Sequence, residues 1–297
     1  MLNEKKIIVR VAESLGNQLF MYENGLSLAK KHNASLYIDN ESGFFKKKNK
    51  LRSRKYDLDI FSTEIKICKS IDKFNTLPKD FLRKFLKILD FFRSHKIFLI
   101  DNLDNKTPYP FDHKLYVEGH FESEKYFSCL KDELKKSLVI DKNLIDYNNK
   151  LVSYLKLSNS VSIHIRKHRF SEEIGGKSIK NINKSEDFTK SIIKYVERSV
   201  NFFKKKIDKP KFFIWSNDFS DLENYFDESF IFVKNNNLAT DFHLFSLSKH
   251  FIVGPSTFHW WGAWLNNNPG KICLRPKENF LNPSNNKDFW PEGWIEI

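Results

Sequence analysis

Short uninterrupted apolar runs alternate with longer stretches at helical spacing along the chain, and the first forty residues set that rhythm. Ile7 to Val11 has the length and composition of a buried strand. Ala12 to Asn17 reads as a loop, Gln18 to about Lys31 as an amphipathic helix, and Ser35 to Ile38 as a second strand. The interval from Asn40 to Leu115 is basic, irregular and rich in aromatics, without an internal repeat, and reads as helices and loops. Within it, Phe81, Leu82, Phe85, Leu86, Leu89 and Phe92 recur at helical spacing, with Arg83, Lys84, Lys87 and Arg93 between them. Such a helix either packs on its own domain or lies peripherally on an anionic membrane surface.

Asp132 to Leu157 also has helical spacing and ends in the polar run Ser158, Asn159, Ser160. A domain boundary is predicted there, giving domains 1–157 and 158–297; a chain of 297 residues exceeds what one core usually organises. The second half repeats the alternation. Strands are expected at Val161 to Ile165, Lys211 to Trp215, Phe230 to Val233, Phe251 to Val253 and Ile272 to Leu274, with helices over roughly Asp187 to Lys205 and from Thr257. This α/β rhythm implies parallel sheets covered by helices, and two such halves make a cleft.

Apolar residues make up 40% of the chain, with 29 Phe, enough to fill cores of this kind. No apolar run approaches the roughly 20 residues that cross a bilayer, and no leader is evident. The three cysteines, Cys68, Cys129 and Cys273, are widely separated and suit neither zinc nor a disulfide framework, which fits a cytoplasmic protein. Fifty Lys and Arg against 37 Asp and Glu give a formal charge of +13 and favour anionic partners. Seven of the ten residues from Lys46 to Lys55 are basic. Nucleic-acid binding would rest on that charge alone, so no nucleic-acid partner is expected.

Four loops carry candidate chemistry. Ser14, Leu15, Gly16, Asn17, Gln18, Leu19 and Phe20 follow a strand and open a helix, where backbone N–H groups can face an anion or a sugar. Gly16 allows close backbone approach and Asn17 offers a donor and an acceptor, although both also suit ordinary helix capping. His164 and Arg166 end an apolar strand, the usual ligand end of an open α/β sheet; Arg166 can hold two phosphate oxygens at once, and Lys167, His168 and Arg169 follow. Trp215, Ser216, Asn217 and Asp218 close another strand, with Asp218 either a ligand acceptor or a turn-former. Finally, Phe251 to Val253 leads through Gly254 and Pro255 into Ser256, Thr257, Phe258, His259, Trp260, Trp261, Gly262, Ala263 and Trp264. Ser256, Thr257 and the helix N–H groups form a neutral phosphate cradle to which the helix dipole contributes roughly 0.3–1 kcal/mol. The three Trp read as core. Asp57-Leu58-Asp59 has the Asp-x-Asp form of metal-dependent transferases, but it lies in the irregular basic stretch without a strand to present a cation.

In order and spacing these stretches resemble the bacterial α-1,2-fucosyltransferases, whose pattern runs Gly-Leu-Gly-Asn-Gln-Leu-Phe, His-x-Arg-Arg-x-Asp, Phe-Ser-Asp-Asp and Ser-Ser-Phe-Ser-Trp-Trp-Gly-Ala. Glu118 to Phe127 is similar to the family's Gly-Tyr-Trp-Gln-Ser-Glu region, and Trp290, Pro291 and Trp294 fit its tail. The resemblance implies a GT-B type fold, two Rossmann-like domains facing a cleft. It also implies inverting transfer of L-fucose from GDP-L-fucose, or a related GDP-sugar, to a glycan acceptor, with no metal or other cofactor. On that analogy Arg166 and His164 are the catalytic candidates, while Gly16, Asn17, Gln18, Lys167, Asp218, Ser256, Thr257 and Phe258 are donor-binding.

The departures lie in the donor motif. Lys167 and Arg169 stand where the family has its second Arg and its Asp, and Glu13-Ser14 replaces a Gly-Gly pair. Lys167 keeps the charge without the planar fork, and Arg169 removes a carboxylate. The base that takes the acceptor proton is thereby open between Glu172, Glu173, Glu122 and an oxocarbenium-like path that needs little base. A different GDP-sugar, such as a GDP-deoxyheptose, and GDP-sugar binding without turnover are the alternatives.

Overall fold

The computed structural model describes residues 4–45, 54–101, 110–147, 149–171, 179–277 and 288–297. These divide into two units. One takes the described residues up to Val139 together with Asp288 and Phe289; the other takes those from Ile140 to Lys277 and Trp290–Ile297.

The first unit contains β1 (Lys6–Arg10), α1 (Leu15–Lys31), β2 (Ser35–Asp39), α2 (Leu77–Asp90), β3 (Phe98–Ile100), β4 (Lys114–Glu118) and α3 (Lys131–Ser137). Its sheet is parallel throughout, in the order β2-β1-β4-β3. Burial on both faces explains why Ile7, Ile8 and Val9 form a continuous apolar run in β1 rather than an alternating one. The sequence reading missed β3 and β4. They offer runs of only four and three consecutive apolar residues, too few to stand out in a stretch crowded with aromatics, and they become strands by pairing, β4 with β1 and β3 with β4. α1 begins at Leu15, three residues before the expected start.

The second unit contains α4 (Asn149–Leu157), β5 (Ser160–Ile165), α5 (Ile179–Lys206), β6 (Lys211–Ser216), β7 (Phe230–Phe232), α6 (Leu238–Ser246), β8 (His250–Ile252), α7 (Thr257–Leu265), β9 (Cys273–Arg275) and β10 (Ile295–Glu296). All six strands are parallel, in the order β10-β9-β8-β5-β6-β7. The two faces of β5 differ in character. Val161, Ile163 and Ile165 pack with Ile192, Tyr195 and Val196 of α5, whereas Ser160, Ser162 and His164 point to the other side. The two serines are buried but satisfied locally: Ser162 donates to Ser248 at 2.6 Å and Ser160 to the Leu155 carbonyl at 2.6 Å. Trp260, Trp261 and Trp264 are buried, as the sequence suggested.

The division falls at Val139/Ile140, not near Leu157 as expected. Leu155 of α4 is fully buried with Phe213, Trp215 and Phe251, which places that helix in the second unit. The single helix expected over 132–157 is two, because Leu138 leaves helical geometry (φ −80°, ψ 65°).

Gly25 fixes the approach of α1 to its sheet. A Cβ there would lie 2.3 Å from Val9 Cγ2 and 3.0 Å from Leu36 Cδ1. Val9 is stiff and central, so Gly25→Ala should destabilise the chain by about 1–3 kcal/mol despite its better helix propensity, lowering the midpoint of thermal denaturation. An unchanged or higher midpoint would show that α1 can shift freely on the sheet.

Candidate active site

In an open parallel sheet, ligands collect where strand order reverses, because the connections leave in opposite directions and open a crevice beyond the carboxyl ends. In the second unit the chain runs from β5 outward to β6 and β7, then returns to place β8 on the other side of β5. The reversal therefore lies between β5 and β8. Arg166 follows β5, and Gly254, Pro255 and Ser256 follow β8 into α7, so two of the sequence motifs meet at this point.

Gly254 is what lets them meet. A Cβ on it would stand 2.9 Å from the His164 carbonyl oxygen and 3.0 Å from His164 Nδ1, contacts with no room to yield. His164 is itself buried, its ring stacked on His259 with centroids 3.7 Å apart and planes 19° apart. Burial, followed by the charge of Arg166, lowers the His164 pKa from 6.5 to about 3. Burial also holds His259 well below 6.5, with His164 and Arg166 adding to the effect. Both rings are neutral at physiological pH. His164 thus lies beneath the site as a packed support, which does not suit the catalytic role expected for it.

Above this pair, Ser256 is the N-cap of α7. Its hydroxyl is buried and 3.2 Å from His259 Nδ1, so it braces the helix start rather than facing outward. Thr257 and Phe258 form the first turn. The Phe258 ring packs edge-on against Phe242, with centroids 5.1 Å apart, leaving its backbone N–H as the group it can offer a ligand. Arg166 is half-buried at the mouth of the crevice.

Lys167 turns away. Its ammonium donates to the Ser220 carbonyl at 2.5 Å and the Ser220 hydroxyl at 2.9 Å, and it lies 3.2 Å from Asp218. His168, in the left-handed region (φ 57°), reaches the same Asp218 oxygen at 2.6 Å. Partial burial raises the Asp218 pKa, but the hydroxyl and N–H of Ser220, with His168 and Lys167, outweigh it and hold the carboxylate well below its usual range. Lys167 and Asp218, both expected to touch the donor, tie the loop after β5 to the loop after β6, with the Asp218 side chain still partly exposed. Ser220 was missed from sequence, although a Ser two residues after an Asp is a turn signal. Arg169 makes a second tie, donating to the Pro255 carbonyl at 3.3 Å with its guanidinium 5.7 Å over the Phe188 ring.

In the first unit, strand order reverses between β1 and β4. The residues that follow them form a second polar cluster: Asn17 donates to Glu122 at 2.8 Å and lies 3.3 Å from His120 Nδ1. His120 was not singled out from sequence and would have been had β4 been recognised. Gln18 behaves differently from the expectation. It is fully buried, and its amide donates to the carbonyls of Glu13 and Lys55 at 3.0 and 2.8 Å while accepting from Asp57 N–H at 2.9 Å. It is a clamp on three backbone groups. Gly16 is buried in the first turn of α1. Glu13 takes a left-handed conformation (φ 66°) at a position where the resembled family carries glycine, and it pairs with Arg54. Asp57-Leu58-Asp59 leads into a 3₁₀ turn. Among the described residues no group of three or more His, Cys, Asp or Glu is placed to hold a cation. Glu172 and Glu173 lie outside the described residues.

Two parallel α/β units, each carrying its polar cluster at the point of reversal, are the architecture of the GT-B glycosyltransferases. The profile of glycosyl transferase family 11 matches residues 9–297, and the chain belongs to that family. An alpha-1,2-colitosyltransferase of Escherichia coli is 26% identical over 298 residues, covering 98% of both chains. The O-antigen biosynthesis glycosyltransferase WbnK of Escherichia coli is 24% identical over 316 residues, covering 95% of this chain and 97% of the relative. The crystal structure of NodZ alpha-1,6-fucosyltransferase from Bradyrhizobium, soaked with GDP-fucose, shares the fold with a TM-score of 0.51 at 12% identity, over 90% of this chain and 97% of that one.

The neutral His pair makes a signed prediction. Between pH 6.5 and about 3 the unfolded chain takes up a proton that folded His164 refuses. Its contribution to stability is therefore complete above pH 6.5 and falls, as pH drops through that window, by about 1.4 kcal/mol per unit. Imidazole NMR signals of His164 and His259 should stay in the neutral form down to pH 5. Titration of either near 6.5 would contradict the packing. The clamp predicts that Gln18→Ala strips three backbone groups of their partner and destabilises the first unit by about 2–4 kcal/mol, with little change in donor KM in the folded fraction. A raised KM at unchanged stability would return Gln18 to the ligand.

Proposed function

We propose that this family 11 enzyme is an inverting, metal-independent transferase of L-fucose, or a closely related deoxy sugar, from a GDP-linked donor to a hydroxyl of a surface glycan. O2 of galactose is the position that the sequence resemblance implies. The observation that supports this reading is that Arg166 follows β5 and the first turn of α7 follows β8, adjacent parallel strands on either side of the reversal. On this reading the guanidinium, the helix N–H groups and Thr257 hold the diphosphate. As the bond between the anomeric carbon and the diphosphate oxygen breaks, negative charge grows on the leaving group, and these donors stabilise it without a metal ion. The acceptor oxygen attacks the opposite face of the anomeric carbon, which inverts it, and its proton passes to a base. That base stays open between Glu122, Glu172, Glu173 and an oxocarbenium-like path that needs little base, while Asn17 keeps the donor-binding role that the resemblance implies. Support for the donor class comes from the GDP-fucose-soaked neighbour of the same fold, and for a surface glycan from the O-antigen relative.

Arg169 favours a second reading of the donor sugar. It puts a cation where the fucosyltransferase pattern has a carboxylate, and the colitosyltransferase relative shows that the family is not confined to one sugar. A donor such as a GDP-dideoxy or GDP-deoxyheptose sugar keeps the phosphate contacts and changes only those around the sugar ring.

Release of free GDP from GDP-fucose, GDP-mannose and UDP-galactose, measured in EDTA with lactose-type acceptors, separates these readings. Turnover of a GDP-sugar is expected and turnover of UDP-galactose is not; loss of all activity on chelation would remove the metal-independent mechanism. Arg166→Ala should lower kcat by on the order of 10²- to 10³-fold with the fold intact. Near-normal turnover of that variant would take the diphosphate away from Arg166.

A further inference from the structure

The helix α2 sits on the first unit the wrong way round for a helix in a water-soluble surface. Leu77, Phe81, Leu82, Phe85, Ile88 and Leu89 share one stripe, with Phe92 continuing it in the turn that follows. An amphipathic helix normally buries such a stripe. Here Phe81 is 66% exposed, Phe85 57%, Ile88 65% and Phe92 81%. The opposite, charged stripe is the one turned inward. Asp80, Arg83 and Asp90 are buried, and Arg83 donates to Asp80 at 2.7 Å and to both oxygens of Glu118 on β4 at 2.6 Å. Lys87 donates to the same Glu118 at 2.9 Å. Asp90 caps the next segment by accepting from the N–H groups of Ile97 and Phe98 at 2.7 and 3.1 Å. The helix is held to the unit by a satisfied ionic network, and its apolar stripe is held outward by the same network.

We propose that this outward stripe is a docking surface for an anionic phospholipid membrane. Charge selects that occupant. From Leu77 to Lys96 the chain carries six Lys or Arg and two acids, Asp80 and Asp90, and both acids are buried. Every formal charge that this segment shows to solvent is therefore positive. Lys84 stands at one margin of the stripe, its ammonium 5.6 Å over the Phe81 ring, and the exposed Arg93 follows its end. Phe and Leu side chains flanked by Lys and Arg are what an interfacial helix offers to acyl chains and anionic headgroups. A second copy of the chain fits poorly, since pairing two such stripes would bring like-charged margins together. Ile71, 86% exposed in a turn that Lys79 ties to the start of α2, extends the apolar surface beyond the helix.

The test is flotation of the full chain with vesicles of phosphatidylcholine alone and of phosphatidylcholine mixed with phosphatidylglycerol. Binding to the mixed vesicles is expected, with little to phosphatidylcholine and loss in high salt. Phe81→Ser with Phe85→Ser should reduce partitioning by on the order of tenfold or more while GDP release in solution is unchanged. Lys84→Glu with Arg93→Glu should abolish the preference for phosphatidylglycerol without touching the apolar stripe. All four side chains are exposed; Lys84 also lies 3.5 Å from the buried Asp80, so circular dichroism of each variant checks that the fold is kept. Failure of the natural chain to float with anionic vesicles would overturn the proposal. So would a concentration-dependent dimer that the Phe variants dissolve, which would give the stripe to a second copy.

Discussion

The pairing of β8 with β5 is the contact on which the second unit's site depends. Parallel pairing aligns the carboxyl ends of the two strands, so the residues that follow them have to share one small volume. They can do so because position 254 carries no side chain. Any Cβ there would press on the carbonyl and ring of His164. With that space kept clear, His164 stacks on His259, the start of α7 is seated over β5, and Arg166 emerges beside a helix N-terminus. The stacked rings are neutral because burial outweighs their intrinsic basicity, and this neutrality suits them to lie under a cationic site without adding repulsion. The chemistry at the surface and the packing underneath are one arrangement.

Around that centre, charge is spent on order. Asp218 gathers Lys167, His168 and Ser220 into a compact set that joins two loops, and Gln18 gathers three backbone groups in the first unit. Gln18 is fully buried, whereas Asp218 stays partly exposed with both carboxylate oxygens engaged. Under the proposed function such ties have a use, because donors already in place need no ordering when a diphosphate arrives.

Much of the architecture was legible in the sequence because parallel sheets declare themselves in continuous apolar runs, as at Ile7 to Val11 and Val161 to Ile165. The motifs were legible because loops after such strands are where ligands bind. What escaped was set by tertiary context. Short strands such as β3, of three residues, and β4, of five, exist only through pairing, and the break between α3 and α4 is where the chain passes from one unit to the other. The roles of Lys167, Gln18 and His164 followed residue type, and type alone does not say whether a polar group faces a ligand or a backbone carbonyl. The stripe of α2 was read correctly as amphipathic. Its orientation was not readable, since it depends on Glu118, a residue some thirty positions away in the sequence.

Arg169 shows how such a site constrains its own sequence. The guanidinium donates to the Pro255 carbonyl and covers Phe188, so the loop after β5 is now fastened to the turn before α7 through a cation. Restoring the carboxylate of the fucosyltransferase pattern at this one position would set an acceptor against an acceptor and strip the aromatic ring of its cover. The residue at this position is therefore tied to the shape of the loop as well as to whatever the loop faces, and exchanging it for a carboxylate asks the turn before α7 and the Phe188 ring to find new partners.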